Sequence, residues 1–462
     1  MRALFGNAEL QRNLWLEMTP QRLVVAPLAI ILVVLVILAS SHDPRTALRT
    51  FGSYGFIAAT ALWGARLAAQ SLSEEFADGT WDGQRTSSLS AWAMCLGKIF
   101  GGAAFAWYIG AGLLLVFLAG AVTTMAAASL LKTVAGLLLL AVFSQSLSLL
   151  LTLLGWRRLR RIADSRHRGL TVLMLLLLLP TVGQLLPWLG QQAITEPLLI
   201  WFDRPWPATD FLLASLALFT GWVLLGVHRA MRAELQFRDP PWTWVAFVLF
   251  LQVYVAGWIG TVHFDHLPSL QAASAQALLR PLAVVRLVAA TAVALLLAYV
   301  FVFSEAKERL RYERLLADVR ARRLGPLLQS PPLWLVNALI AALTLVVALA
   351  AALVALKLAG LIVLATGLLA LLAYAVRDFA VVLLCNFGPS RRRADAAAAF
   401  YLLALYGLPL ALLLATGLGG LSGLFEPLAA FRNPFWLLAA LAWAAGGVDL
   451  LIRRWRSGRA AT

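Results

Sequence analysis

Residues 23–39 read Leu23-Val24-Val25-Ala26-Pro27-Leu28-Ala29-Ile30-Ile31-Leu32-Val33-Val34-Leu35-Val36-Ile37-Leu38-Ala39, a run with no charge and no hydroxyl. An α-helix rises ~1.5 Å per residue and a bilayer's hydrocarbon core is ~30 Å thick, so a run of this length and purity belongs in a membrane. It follows a lead-in of mixed polarity and lacks the short apolar core and small-residue cleavage site of a signal peptide. The expectation is an anchor that stays in the bilayer. Working outward, comparable stretches lie near 51–69, 96–120, 132–155, 169–189 and 210–228. A second set lies near 242–262, 282–303, 333–356, 359–385, 399–418 and 435–452. The sequence therefore predicts an all-α, polytopic transmembrane helix bundle of about twelve spans.

Composition agrees with that reading. The 462 residues are 61% hydrophobic and only 13% charged, whereas a soluble domain is about half apolar and about one-quarter charged. The formal charge of +16, from 38 basic and 22 acidic residues, would suggest nucleic acid in a soluble chain. Here the positions of the basic residues give a different reason. With residues 1–22 cytoplasmic, 28 of the 38 basic residues fall in cytoplasmic segments, including Arg157, Arg158, Arg160 and Arg161, Arg229 and Arg232, and Arg391, Arg392 and Arg393. Seven fall outside: Arg45, Arg49, Lys132, Arg204, Arg280, Lys357 and Arg432. Such a skew predicts both termini inside and accounts for the charge without nucleic acid as a partner. The only cysteines, Cys95 and Cys385, are far apart and both near the cytoplasmic side, so no disulfide is expected.

The polar, proline-containing stretch 229–241 separates the two sets of spans. The expected organisation is a cytoplasmic amphipathic helix in 1–22, a first six-span half in 23–240 and a second in 241–462, each with a long cytoplasmic segment, at 70–98 and 304–332. Two diverged copies related by a pseudo-two-fold axis are the implied architecture.

The loop after the second span is the most informative. It reads Ser73-Glu74-Glu75-Phe76-Ala77-Asp78-Gly79-Thr80-Trp81-Asp82-Gly83, continues through Ser87-Ser88-Leu89-Ser90-Ala91-Trp92, and ends in Leu96-Gly97-Lys98. Physically, Gly79 ends a helix leaving the membrane, Thr80 is placed to cap the next turn, and Glu75 puts a carboxylate at the cytoplasmic surface beside Arg85 or a partner's basic groups. The pattern resembles the cytoplasmic loop of ABC type-2 exporter permeases: Glu, three residues, Gly-Thr, a short helix, Ser, Trp, then Gly-Lys opening the next span. Glu75, Gly79, Thr80, Ser90, Trp92, Gly97 and Lys98 fall on it. Gln84 and Arg85 stand where the family has aliphatics, and Ser88 where Pro is common. The resemblance implies a permease subunit of a bacterial plasma (inner) membrane, with Glu75, Gly79, Thr80, Trp81 and Asp82 receiving the stroke of an ABC ATPase. The second half's 324–334 shares only the Ser, Pro and Trp.

Two further segments bear on this reading. In 7–18, Leu10, Leu14 and Met18 recur at helical spacing while Glu9, Arg12, Asn13 and Glu17 face elsewhere, the pattern of a helix on the inner leaflet with Trp15 at the interface. In 304–323, Tyr312, Leu315, Leu316 and Val319 form a stripe, with Glu305–Arg309 and Arg314–Asp318 as pairs four apart.

No Gly-x-x-x-x-Gly-Lys-Ser/Thr occurs, so no nucleotide cofactor is expected on this chain; ATP and Mg²⁺ belong to a separate ATPase, two copies being the simplest stoichiometry. A homodimer of the chain is the other arrangement, with membrane lipids as surroundings. The sequence leaves two rivals. One is a membrane-embedded enzyme using external His263, Asp265 and His266 with His42 and Asp43, since three ligands and a water suffice for catalytic zinc. The other is a proton-coupled secondary carrier, for which Arg66, Arg286, Arg377 and Asp378 are the intramembrane candidates.

Overall fold

Helix starts are written into the chain as a polar cap followed by proline, because proline's fixed φ suits the first helical position, where its missing N–H costs nothing. Thr19-Pro20 and Asp43-Pro44 both do this: Thr19 Oγ1 accepts from Arg22 N (3.4 Å) and Asp43 Oδ1 from Thr46 N (3.2 Å). Asn7 and Ser90 cap two further helices by accepting from Glu9 N (3.0 Å) and Ala93 N (3.2 Å). The computed structural model describes residues 6–159, 198–237, 239–260, 275–305, 307–323, 325, 331–387 and 394–460.

The chain divides into two units, residues 1–199 with 205–239, and residues 200–204 with 240–462. Unit one begins with α1 (Ala8–Glu17) and α2 (Pro20–Ser40). A continuous helix follows, made of α3 (Pro44–Phe56), a π-helical segment Ile57–Trp63 and α4 (Gly64–Ala77). After the short α5 (Trp81–Arg85) come α6 (Ala91–Leu96), running into a second π-helical segment Gly97–Gly101, then α7 (Ala104–Ala121) and α8 (Ala127–Leu159). The strands β1 (Leu198–Trp201) and β2 (Arg204–Pro207) form a hairpin leading to α9 (Ala208–Glu234).

Unit two holds α10 (Trp242–Gly257), α11 (Ala275–Ser304), α12 (Arg309–Arg320), α13 (Leu333–Ala355), α14 (Leu358–Asn386), α15 (Ala394–Ala415), two 3₁₀ turns and α16 (Trp436–Ala460). Among the described residues nine helices are long and apolar enough to cross a membrane: α2, α7, α8, α9, α11, α13, α14, α15 and α16. The protein is a predominantly helical, multi-pass membrane protein. The expected span 51–69 lies inside the α3–α4 helix, and 96–120 is interrupted at 102–103. Helix α10 is shorter than 242–262. The span expected at 169–189 lies outside the described residues.

Element order also revises the comparison of the halves. Helix α12 is followed by two spans and then α15, just as α1 is followed by α2, the α3–α4 helix and then α6. Segment 324–334 follows α12 in chain order, the place that the α1–α2 link takes after α1.

Lipid offers no hydrogen bonds, so buried polar groups in the spans must satisfy one another. Gln145 on α8 donates Nε2 to the Thr60 carbonyl (2.9 Å), inside the π-helical segment, and accepts from Trp107 Nε1 (3.0 Å). Gln252 on α10 donates to the Ala290 carbonyl of α11 (2.9 Å). Helices α3 and α7 pack backbone to backbone: a Cβ at Gly52 would lie 2.4 Å from Phe117 N, and one at Gly120 would lie 2.5 Å from the Arg45 carbonyl. Small residues at such crossings are what membrane helices use to associate. Gly52→Val should therefore destabilise the detergent-solubilised chain by about 1–3 kcal/mol, the usual cost of overpacking, read as a lower thermal midpoint. Gly221→Ala, where a Cβ meets nothing, should not.

Candidate functional site

Unit one buries a lysine. Lys98 opens the second π-helical segment with no exposed surface, a position that a charged side chain tolerates only when fully paired. Its Nζ donates to Glu75 Oε2 and to Glu9 Oε1 (3.2 Å), and it also lies 5.9 Å from the centre of the Trp81 ring. Glu75 is 7% exposed; its other oxygen accepts from Arg12 Nη1 (3.1 Å) and from Gln84 Nε2. Two carboxylates, one ammonium and one guanidinium sum to zero charge, which is what burial requires.

Glu75 thus lies on the last turn of α4, Gln84 on α5, Lys98 in the π-helical segment that continues α6, and Glu9 and Arg12 on α1. Glycine makes the α1 contact possible. A Cβ on Gly97 would sit 2.5 Å from Glu9 Cγ, and one on Gly101 would sit 2.9 Å from Asn13 Cβ. Asn13 Nδ2 reaches the Gly97 carbonyl (3.3 Å) and Asn7 Nδ2 the Ala93 carbonyl (2.7 Å). The face of α1 that packs carries Glu9, Leu10 and Asn13, while Trp15 and Leu16 point outward, Trp15 at 88% exposure. In a helix at a membrane surface such outward apolar groups have lipid to face.

The loop residues divide into buried and presented groups. Trp81 is buried, edge-on to Phe76 with ring centres 5.0 Å apart, in a cluster with Leu72, Met94 and Leu153. Gly79 has φ +70° with open space around it, so it ends the α4 turn where a side chain would strain the backbone. Ser90 caps α6, and Trp92 stacks on His228 of α9 at 4.3 Å. Asp82 is presented to solvent, 76% exposed, with Arg85 at 3.6 Å.

Three expectations are corrected. Glu75 is not a surface carboxylate beside Arg85, because Lys98 holds it inside. Thr80 does not cap α5; its hydroxyl donates back to the Glu75 carbonyl (3.4 Å). Glu305 does not pair with Arg309: its carboxylate accepts from Leu333 N (2.8 and 3.0 Å), and Arg309 pairs with Glu313 (3.0 Å). Burial raises the Glu305 pKa above its ordinary value, against the lowering effect of that N–H.

Unit two contains a brace of related design with the charges exchanged. Lys307, just before α12, donates to Asp395 at the start of α15 (2.6 Å), as Glu9 on α1 meets Lys98. Deeper in α14, Arg377 and Asp378 are both almost wholly buried. Asp378 accepts from Arg377 Nε and Nη2 (2.9 and 2.8 Å), Tyr299 (2.8 Å) and Tyr406 (2.7 Å), and the guanidinium lies 4.7, 4.4 and 5.9 Å from the Tyr374, Tyr406 and Trp443 ring centres. The spans expected to carry these charges hold them as a neutral pair. Arg286 is likewise paired with Asp203 (2.6 Å), and Arg66 is exposed. Asp43 is occupied as a helix cap, and His263, Asp265 and His266 lie outside the described residues. Among the described residues no group of three or more His, Cys, Asp or Glu is arranged to hold a metal, and both cysteines are free.

Neither a protein-family model nor a curated protein nor a solved structure matches the chain.

The paired Lys98 network sets an order of stabilities. Lys98→Met leaves two buried carboxylates with only the half-exposed Arg12 guanidinium to neutralise them and should cost about 3–5 kcal/mol, while Glu75→Gln leaves Lys98 its Glu9 partner and should cost less; thermal unfolding in detergent reads both. In unit two, Arg377→Met or Asp378→Leu alone should lower the unfolding midpoint more than the double substitution, since removing both charges leaves none buried and unpaired.

Proposed function

We propose that this chain is the transmembrane permease subunit of an ATP-driven exporter of the ABC type-2 class. It sits in a bacterial inner membrane with both termini cytoplasmic, and segment 70–98 receives the stroke of a separate ATPase. The observation that carries the proposal is the burial of Glu75 against Lys98 and Arg12. A load applied to the exposed side of the loop, at Asp82, Thr80 and Gly83, cannot move α5 without moving Gln84, Glu75, and through them α4, the head of the next helix and α1. Three membrane-associated helices then respond as one body, which is what a transmission element must do.

The sequence pattern Glu75, Gly79, Thr80, Ser90, Trp92, Gly97 and Lys98 supports the same assignment, and on this reading the loop residues have distinct tasks. Glu75, Trp81 and Lys98 anchor the loop, Gly79 lets it turn, and Asp82 faces a partner. ATP and Mg²⁺ are held by that partner, two copies per permease chain serving the two six-span halves of a twelve-span architecture. The cargo is an apolar or amphipathic molecule, in keeping with spans whose charges are few and mutually neutralised.

The carrier reading has Asp378 in its favour, a carboxylate within a span, but its oxygens are already engaged by Arg377, Tyr299 and Tyr406 inside the fold.

Gentle purification of the full chain from native membranes should bring with it a P-loop ATPase and vanadate-sensitive ATP hydrolysis. Asp82→Lys, which changes only the presented face, should reduce ATPase retention several-fold with the unfolding midpoint unchanged. Good recovery of the chain with neither ATPase nor ATP hydrolysis would overturn the proposal.

A further inference from the structure

Unit one has a second polar site beside the loop, distinct from the Lys98 network. A cavity of about 510 Å³ opens between the segment that follows α5 and the end of α9. Its lining residues include Arg85, Arg232, His228, Ser87, Ser88 and Ser90, with no Asp or Glu among them. A cavity with several donors and no acid selects an anion.

The details of each group fit that role. Arg232 gives only Nε to Asp239 (2.8 and 2.9 Å), and its guanidinium is held over the Phe237 ring at 4.9 Å. Its terminal nitrogens make no hydrogen bond among the described residues. Arg85 is 3.6 Å from Asp82, beyond hydrogen-bond reach, so its fork is available too. His228 is fixed in plane by stacking on Trp92. Planar guanidinium forks converging with hydroxyls are the recognition chemistry of phosphate oxygens.

The cavity lies at the C-terminal end of α9, one of the helices long and apolar enough to cross a membrane. The buried apolar face of α9 ends with Val227, Ala230 and Met231, and beyond them Phe237 is 55% exposed and Trp92 39% exposed, as aromatic residues are at a membrane–water boundary. We infer that this cavity binds a phosphate-bearing anionic headgroup, held between Arg85 and Arg232 with Ser88 contributing a hydroxyl. The site is complete in this chain alone and does not rest on the ATPase assignment. Its neighbours on α5 are nevertheless those of the transmission loop, so an occupant would bias the position of that loop.

The test is native mass spectrometry and thermal unfolding of the detergent-purified full chain, with phosphatidylglycerol, phosphatidylcholine, glycerol 3-phosphate or inorganic phosphate added separately. Phosphatidylglycerol should be retained and raise the unfolding midpoint, with phosphatidylcholine doing neither. Each of Arg85→Gln and Arg232→Gln should weaken retention about tenfold, the size of one lost charge-assisted hydrogen bond. Arg453→Gln, an exposed basic residue on α16, controls for general positive charge and should leave retention intact. Ser88→Glu places an anion in the cavity without breaking an existing ion pair, so it should abolish retention even if an arginine variant fails to fold. Protection by the two soluble phosphates but not by the lipid, lost in the same variants, would assign the site to a free phosphate compound. Equal retention of the two lipids with no protection by either phosphate, or retention insensitive to Ser88→Glu and both arginine variants, would overturn the inference.

Discussion

Lys98 has to be neutralised where it stands, and much of unit one is arranged around that requirement. An ammonium with no exposed surface is tolerated only with opposite charge in direct contact, and it draws on two separate pieces of chain, Glu9 and Glu75. To bring Glu9 close, α1 must lie across the head of the following helix, which Gly97 and Gly101 permit by having no side chain in the way. To bring Glu75 close, α4 must continue as a helix past the apolar part of its span and then stop, which Gly79 does. Arg12 and Gln84 then fill the remaining acceptor positions on Glu75. The loop is consequently a braced corner rather than a free connection, and motion at α5 is shared among its neighbours.

The same physics recurs wherever the chain buries polarity. In lipid an unmet donor or acceptor has no water to turn to, so Gln145 meets the Thr60 carbonyl, Trp244 meets Asn337 at 2.8 Å, and Asp378 gathers Arg377, Tyr299 and Tyr406. Apart from Arg377 and Asp378, which are neighbours on α14, each of these contacts joins two different helical segments. They supply direction to helices whose apolar surfaces alone would pack almost interchangeably, since lipid is as good a partner for leucine as another leucine is. The exchanged charges of Glu9–Lys98 and Lys307–Asp395 show one device used in both units: a residue on or beside a short helix tied by an ion pair to a helix much later in the chain.

The membrane class, the helical content and most helix positions were legible because they follow from local properties. Hydropathy over about twenty residues determines what can lie in a bilayer, and Thr19-Pro20, Asp43-Pro44 and Ser90 mark helix starts through bonds to residues three away. The loop's unusual composition was visible for the same reason. Its internal geometry was not. Glu75 and Lys98 are separated by 23 positions and Glu9 and Lys98 by 89, so nothing local in the sequence pairs them. The one available signal was the glycine spacing at 97 and 101.

The sequence by itself determined that this protein lives in a membrane, that it is helical, and where its polar loop falls, because those are properties of short stretches acting alone. Only the tertiary structure decided which face of α1 is packed, that Glu75 is buried rather than presented, and that Arg377 and Asp378 form one neutral pair. Those outcomes depend on which groups meet across the fold. A charge's environment is set by partners that the chain brings in from elsewhere, and periodicity carries no record of them.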